Sequence, residues 1–364
     1  MLCLPNSTQK SLLKAALYTD LSEGYQQLLI WQNSVDIHKH IPKSEIRLIP
    51  MIWCKYRTQL AESPFNDRFG GLYKKSFYNN SLLFRQLKQI IDVFDRAGFE
   101  YAFTKGVALH YYLYSNSGSR PMNDIDILVA QKNFIPAINR LFGIGYAFKD
   151  TTYTMDMYIK GQAHACTLKH NSLKDIDLHY YPARLHNRKL TNDFFLEDAQ
   201  RCDFKGLSIQ LLSPEKLCLF MLVNYQFSEE WHWIADVVML HEKYSISLVK
   251  LRQLVKETGL YSFTYYQLLF LWNEFRIGNP EELNFYLNQP HLVIDKYAVE
   301  SKSTYDLKAI IVRVAAINGL CQRKRIGAKL LFHVVKWIYE QARGTPYQKL
   351  LGRSINMVKL IRNF

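Results

Sequence analysis

The sequence predicts an α+β fold, with a compact mixed-sheet core flanked by N-terminal and C-terminal helical regions. Three stretches carry that expectation. Asn123-Asp-Ile-Asp-Ile-Leu-Val129 reads as a short strand bearing two carboxylates. Thr104-Lys105-Gly106, followed by the apolar run Val107–Tyr114, reads as a turn leading into a helix. Asp175-Ile-Asp-Leu-His-Tyr180 reads as a second strand of alternating polarity. The expected division is a helical N-terminal region over 1–97, the core over 98–205, and a helical, basic C-terminal region over 206–364.

In chain order, residues 1 to about 97 are expected to be mainly helical. The apolar residues Leu83, Phe84, Leu87, Ile90, Ile91 and Phe94 recur every three or four positions, the period of an amphipathic helix. Ala97-Gly98 closes that helix, because glycine is a common helix stop. Phe99–Thr104 reads as a strand. Asn133 caps a helix through Leu141, with Pro136 in its first turn. Strands are expected over 151–160 and 163–169, joined by a turn at Gly161. Ser213-Pro214-Glu215 opens another helix, since serine caps, proline suits the first turn, and glutamate favours the positive helix end. Leu217, Phe220, Met221 and Tyr225 supply its apolar face. Mostly helices follow, with breaks near Gly259, Gly278-Asn-Pro280 and Gly344-Thr-Pro346.

Composition narrows the class. A chain of 364 residues is long enough for two domains. Its 48% hydrophobic content argues against general disorder. The six cysteines form no CxxC and no close Cys/His cluster, which argues against a zinc site. Scattered, reduced cysteines fit a cytoplasmic protein. The start MLCLPNSTQK is a poor signal peptide, and no apolar run is long enough for integral membrane association.

The formal charge of +14 is uneven. Residues 321–364 carry ten Lys/Arg against one Glu, so +9 of it lies there. A positive field attracts RNA, DNA, a membrane or a free nucleotide, and its sign alone does not choose. The cluster Arg323-Lys324-Arg325 is read as a weak, salt-sensitive RNA contact. The competing reading is a set of solvated helix faces that keep the chain soluble.

The chemistry centres on the carboxylates. Asp124 and Asp126 are two residues apart and share one strand face. Their repulsion is relieved most simply by a divalent cation, and Mg²⁺ favours carboxylate plus phosphate oxygens. Asp175, Asp177 and His179 share a face of the later strand, so one of its carboxylates can complete a triad if the strands are neighbours. Gly106 allows close backbone approach to a phosphate at a helix N-terminus. Lys105 either touches that phosphate or faces solvent. Arg120 either neutralises phosphate or fixes its loop through a carboxylate. His179 supports Asp177, enters an acceptor pocket, or is structural. Trp231 and Trp233 read as helix packing, and Asp236 as a tie between the C-terminal helices and the core.

The order of these motifs resembles the nucleotidyltransferase superfamily that includes DNA polymerase beta. More closely, it is similar to a bacterial branch described as uncharacterised nucleotidyltransferases. Lys105-Gly106, Arg120-Pro-Met-Asn-Asp-Ile-Asp-Ile-Leu-Val129 and Asp177-Leu-His179 carry the resemblance. Leu48-Ile-Pro-Met51, Ser213-Pro214-Glu215 and Trp233-Ile-Ala-Asp236 extend it over roughly residues 45–245. The resemblance implies a polymerase-beta-like nucleotidyltransferase core. It implies an enzyme that moves a nucleoside monophosphate from an NTP to a hydroxyl of RNA, protein or a small molecule, releasing pyrophosphate. Asp124, Asp126 and Asp177 are then the catalytic, metal-binding carboxylates, with Mg²⁺ as the ion and Mn²⁺ as its alternative. Asp177 would help a second Mg²⁺ and orient or deprotonate the acceptor. Lys105, Gly106 and Arg120 are the expected nucleotide contacts, with an NTP as donor and ATP binding among the expectations. One departure is that Gly106 is followed by Val107, where the wider superfamily usually has serine. The competing functions are a non-enzymatic RNA-binding or regulatory protein on this fold, and an antibiotic nucleotidyltransferase.

Overall fold

The computed structural model describes residues 5–36, 39–150, 165–180, 192–225, 230–258, 261–278 and 281. The chain divides into two units, Leu2–Leu292 and Val293–Phe364 together with Met1, and every described residue belongs to the first. The expected strand over 151–160, the Gly161 turn, the breaks at Gly259, Asn279-Pro280 and 344–346, and the basic segment 321–364 all lie outside the described residues.

The N-terminal region is helical: α1 (Ser7–Leu17), α2 (Leu21–Ser34), α3 (Lys43–Ile46), α4 (Ile49–Tyr56) and α5 (Asn66–Arg96). Local chemistry starts the first two. Asn6 and Gln9 form a reciprocal capping box on α1, and the Asp20 carboxylate accepts from the backbone N–H of Ser22 and Glu23 on α2. The long α5 buries Phe69, Leu83, Leu87, Ile90 and Phe94 on one face, as their spacing predicts. Gly98 follows with φ +65°, a conformation that glycine adopts without steric cost.

The core follows in the order β1 (Tyr101–Phe103), α6 (Lys105–Tyr112), β2 (Ile125–Val129), α7 (Phe134–Phe142), β3 (Ala147–Phe148), β4 (Ala165–Lys169), β5 (Ile176–His179), α8 (Asn192–Leu196), β6 (Gln200–Phe204) and β7 (Leu207–Leu211). Among the described residues these strands form one sheet in the order β3-β4-β5-β2-β1-β7-β6. It is mixed, because β2–β5 and β1–β7 are parallel and the other pairs antiparallel. The architecture is therefore the α+β class expected. Pro136 sits in the first turn of α7 as its backbone requires, but the Asn133 side chain accepts from the Glu100 N–H instead of capping the helix.

The sheet continues past residue 205, where the sequence reading ended the core. Lys205 (φ +55°) and Gly206 (φ +76°) make a two-residue hairpin turn with both positions left-handed, which matches the twist of the paired strands. Through it β7 returns beside β1. After the hairpin come α9 (Pro214–Tyr225), α10 (His232–Tyr244), α11 (Leu248–Thr258) and α12 (Tyr261–Phe275). No helix among the described residues is long and apolar enough to cross a membrane.

All five residues of β2 are buried. Ile125, Ile127, Leu128 and Val129 anchor the strand, while α6 and α8 pack against it. Asp126 is thus an acid built into a fully buried strand of the sheet.

Candidate active site

The site grows from the register of two parallel strands. Asp126 on β2 pairs directly with Asp177 on β5, which places their side chains side by side on one face. His179, two residues farther along β5, falls on that face. Its Nε2 lies 3.2 Å from Asp126 Oδ1 and 3.5 Å from Asp177 Oδ2. On the other side of β5, Thr167 of β4 donates from Oγ1 to Asp177 Oδ1 at 3.1 Å. One ligand atom from each of Asp126, Asp177 and His179 lies within 4.8 Å of the other two. Asp175 is drawn elsewhere, since Lys149 Nζ holds it at 2.7 Å.

Lys105 enters from the opposite end of the chain segment. It joins β1 to α6 with φ +42°, a left-handed conformation that costs a side-chain-bearing residue about 1–2 kcal/mol. Its Nζ then sits 2.5 Å from Asp126 Oδ1, so it does not face solvent. Burial acts to raise the Asp126 pKa, but the Lys105 charge and the His179 hydrogen bond outweigh it and hold the carboxyl well below the usual range. Burial would lower the Lys105 pKa; the Asp126 charge reverses this and raises it. Asp124, just before β2, has the opposite fate to Asp126. Burial, and then the neighbouring Asp126 charge, push its carboxyl up to about 7. Adjacent acids with such divergent acidities are characteristic of functional sites.

The loop carrying Asp124 is clamped from below. Asn80 on α5 donates to the carbonyls of Ser117 (2.6 Å) and Arg120 (2.8 Å), and accepts from the Met122 N–H (3.0 Å). His110 Nε2 adds a contact to the Arg120 carbonyl at 2.9 Å. Gln86, one and a half turns along α5, grips Lys174 before β5 through both backbone groups, at 2.8 and 2.9 Å. One helix thereby fixes both carboxylate strands.

Arg120 and Gly106, two of the nucleotide contacts expected from the sequence, have the following partners within the protein. Arg120 is only 3% exposed and pairs with Asp236 of α10, with Nε 2.9 and 3.0 Å from the two carboxylate oxygens. Tyr114 Oη donates to the same carboxylate at 2.7 Å. Of the two roles the sequence left open for Arg120, the carboxylate pair is present. Asp236 is the expected tie to the C-terminal helices. Gly106 is needed for close approach, but the approaching group is Met122: a Cβ at Gly106 would sit 2.5 Å from its Sδ.

A cavity of about 120 Å³ opens beside the carboxylates, with Arg47, Lys105, Arg120, Asp124, Asp126 and Tyr225 in its wall. Arg47 lies between α3 and α4, and Tyr225 ends α9. Arg47 was not singled out in the sequence, and Tyr225 was read only as part of the apolar face of its helix; both reach the site through packing of the flanking helices. The Asp126–Asp177–His179 donors fit a divalent cation. They offer two carboxylates on neighbouring strands, where the Lys105 ammonium already stands against Asp126 Oδ1.

The family described as "Uncharacterised nucleotidyltransferase" matches residues 44–275. A crystal structure of the lincosamide antibiotic adenylyltransferase LnuA, lincomycin-bound, is similar at 20% identity and a TM-score of 0.30. The likeness covers 45% of this chain and 97% of that one. No curated protein matches the chain.

Proposed function

The chain belongs to this nucleotidyltransferase family, and we propose that it transfers a nucleoside monophosphate from an NTP to a hydroxyl-bearing acceptor. The observation that carries the reading is the in-register pairing of Asp126 with Asp177, with Asp124 and Lys105 at the same end of β2. In this reading Asp126 and Asp177, with Asp124 beside them, would hold the cation of a magnesium or manganese nucleotide. When bound, that cation neutralises triphosphate charge and polarises the phosphorus under attack.

The chain's own residues do the rest. Asp177, kept in orientation by Thr167, accepts a hydrogen bond from the acceptor hydroxyl and takes or relays its proton. The acceptor oxygen forms its bond to the α-phosphorus. The bond from that phosphorus to the bridging oxygen breaks, and pyrophosphate leaves with the electron pair. Lys105 stands next to Asp126, close enough to pass from carboxylate to phosphate as the donor arrives. His179, fully buried against both acids, fixes their spacing.

The test is transfer of label from an α-labelled NTP, with ATP first, into RNA, protein and metabolite fractions. Labelled product from the wild type and none from Asp126→Asn supports the reading. Equal labelling by both proteins overturns it.

A further inference from the structure

We propose that the outer face of α5 is a docking surface for single-stranded RNA. Lys74, Arg85 and Lys88 would lie against its phosphates, and Phe77 and Tyr78 would stack on its bases. This surface is separate from the carboxylate site, and the inference stands whether or not the chain transfers a nucleotide.

Between Asp67 and Asp92, α5 carries Arg68, Lys74, Lys75, Arg85 and Lys88 and no acid. Lys74, Tyr78, Ser81, Arg85 and Lys88 follow one another at steps of four and three, so they share one helix face. The stripe runs about 21 Å along the helix. Lys74, Lys75, Arg85 and Lys88 are exposed, and none has an ion-pair partner among the described residues. The β6–β7 hairpin adds the exposed Lys205, whose ammonium lies 5.3 Å from the centroid of the Phe84 ring on the same helix. A row of unpaired cations is complementary to a polyanion. Residues 321–364 are themselves strongly basic, so like charge argues against that segment as the occupant.

Aromatic geometry selects among polyanions. Phe77 and Tyr78 stand beside these cations and are 49% and 65% exposed. Phe77 is also the open end of a ladder of planar groups. The Arg57 guanidinium lies 5.1 Å from the Trp53 ring centroid, Trp53 and Tyr73 stack at 4.7 Å, and Phe77 follows Tyr73 at 6.4 Å with the ring planes 33° apart. The ladder is held in place. Trp53 Nε1 donates to Asn66 Oδ1 at 3.1 Å, and the Tyr73 hydroxyl donates to Asn116 Oδ1 at 2.6 Å. The loop at Gly118 packs directly on Tyr73, since a Cβ there would meet its ring at 2.3 Å. An exposed ring at the end of such a stack offers the next place to a nucleobase, and cations alongside take the backbone. A polyacidic peptide or an anionic lipid surface satisfies the charge but brings no base to stack. A duplex keeps its bases inside, whereas RNA presents unpaired bases in loops and ends. On its inner side the same helix grips the active-site loops through Asn80 and Gln86, so a bound strand lies across the helix from them.

The experiment is fluorescence anisotropy of a labelled, unstructured single-stranded RNA with the full chain over a salt series. It compares wild type, Lys74→Gln/Arg85→Gln/Lys88→Gln and Phe77→Ser/Tyr78→Ser. All the substituted residues are exposed, so circular dichroism should show the wild-type fold. Wild-type affinity should fall with salt. The charge variant should flatten the slope of log affinity against log salt by about 2, from three phosphate contacts at ~0.7 each. The aromatic variant should weaken binding by about fivefold or more while keeping the wild-type slope. No binding by the wild type at low salt, or wild-type affinity and slope in both variants, would overturn the surface. So would duplex RNA, polyglutamate or phosphatidylglycerol vesicles bound as tightly as the single strand. Single-stranded DNA of the same sequence bound more tightly than the RNA would overturn RNA as the partner.

Discussion

Arg120 and Asp236, 116 residues apart in sequence, form an ion pair with side chains 3% and 0% exposed. It joins the loop that carries Asp124 to helix α10. Removing one partner leaves the other charged and buried, which typically costs 3–5 kcal/mol. Asp236→Ala should therefore lower the urea midpoint substantially, by roughly that much in free energy. The double replacement Arg120→Met/Asp236→Leu should recover part of the loss. A midpoint that Asp236→Ala leaves unmoved would show that the pair does not hold the C-terminal helices to the core.

Gly106 makes a second, more local demand. Alanine there would push its Cβ to 2.5 Å from Met122 Sδ and 2.8 Å from Met122 Cγ, so Met122 must move. Overpacking of this kind costs about 1–3 kcal/mol. Gly106→Ala should destabilise the protein by that order in thermal unfolding. Adding Met122→Ala should restore part of the loss by opening space. Strict additivity of the two destabilisations would rule out the contact as the cause.

Much of this was legible in the sequence, and the reasons for the rest are physical. Period-two alternation exposed β2 and β5, and three-four periodicity exposed α5. The Asp126–Asp177 pairing could be stated only conditionally, because alternation gives the face of a strand but not its neighbour. The β6–β7 hairpin escaped notice because five-residue strands rich in Arg201, Asp203 and Gln210 look like surface segments. Asn80 and Gln86 read as the polar face of α5, yet both are buried and hold the active-site strands through backbone groups 37 to 88 residues away. Long-range bonds to main chain leave no trace in side-chain pattern. Arg47, bonded to the Pro121 carbonyl 74 residues away, reaches the cavity in the same way.

The Asp124 carboxyl gives a pH signature. Its pKa is raised from 3.8 to about 7 by burial and then by the charge on Asp126. Between those values the folded protein holds a proton that the unfolded chain has lost. The stability contributed by that proton is complete below about pH 4 and is lost as pH rises through about 7. Unfolding free energy of the metal-free protein should fall across this window, by at most ~1.4 kcal/mol per pH unit. Asp124→Asn should flatten the slope. Metal binding should release that proton, so Mn²⁺ affinity should rise with pH up to about 7 and level off above. Denaturant melts and Mn²⁺ titrations in chelator-controlled buffers between pH 5 and 8 check both. A Mn²⁺ affinity independent of pH over that range would remove Asp124 from the site.

In the proposed reaction Asp124 and Asp126 belong to the metal–nucleotide donor site. Binding of a nonhydrolysable NTP, measured with and without Mg²⁺ on wild type, Asp124→Asn and Asp126→Asn, tests it most directly. The replacements are nearly isosteric, so circular dichroism should show an unchanged fold. A neutral amide is a poor Mg²⁺ ligand, and losing even about 3 kcal/mol of interaction weakens binding ~100-fold. The wild type should bind in a Mg²⁺-dependent way, and each variant should show a loss of that size. Equal affinity in all three proteins, or binding by the wild type that ignores Mg²⁺, would contradict it.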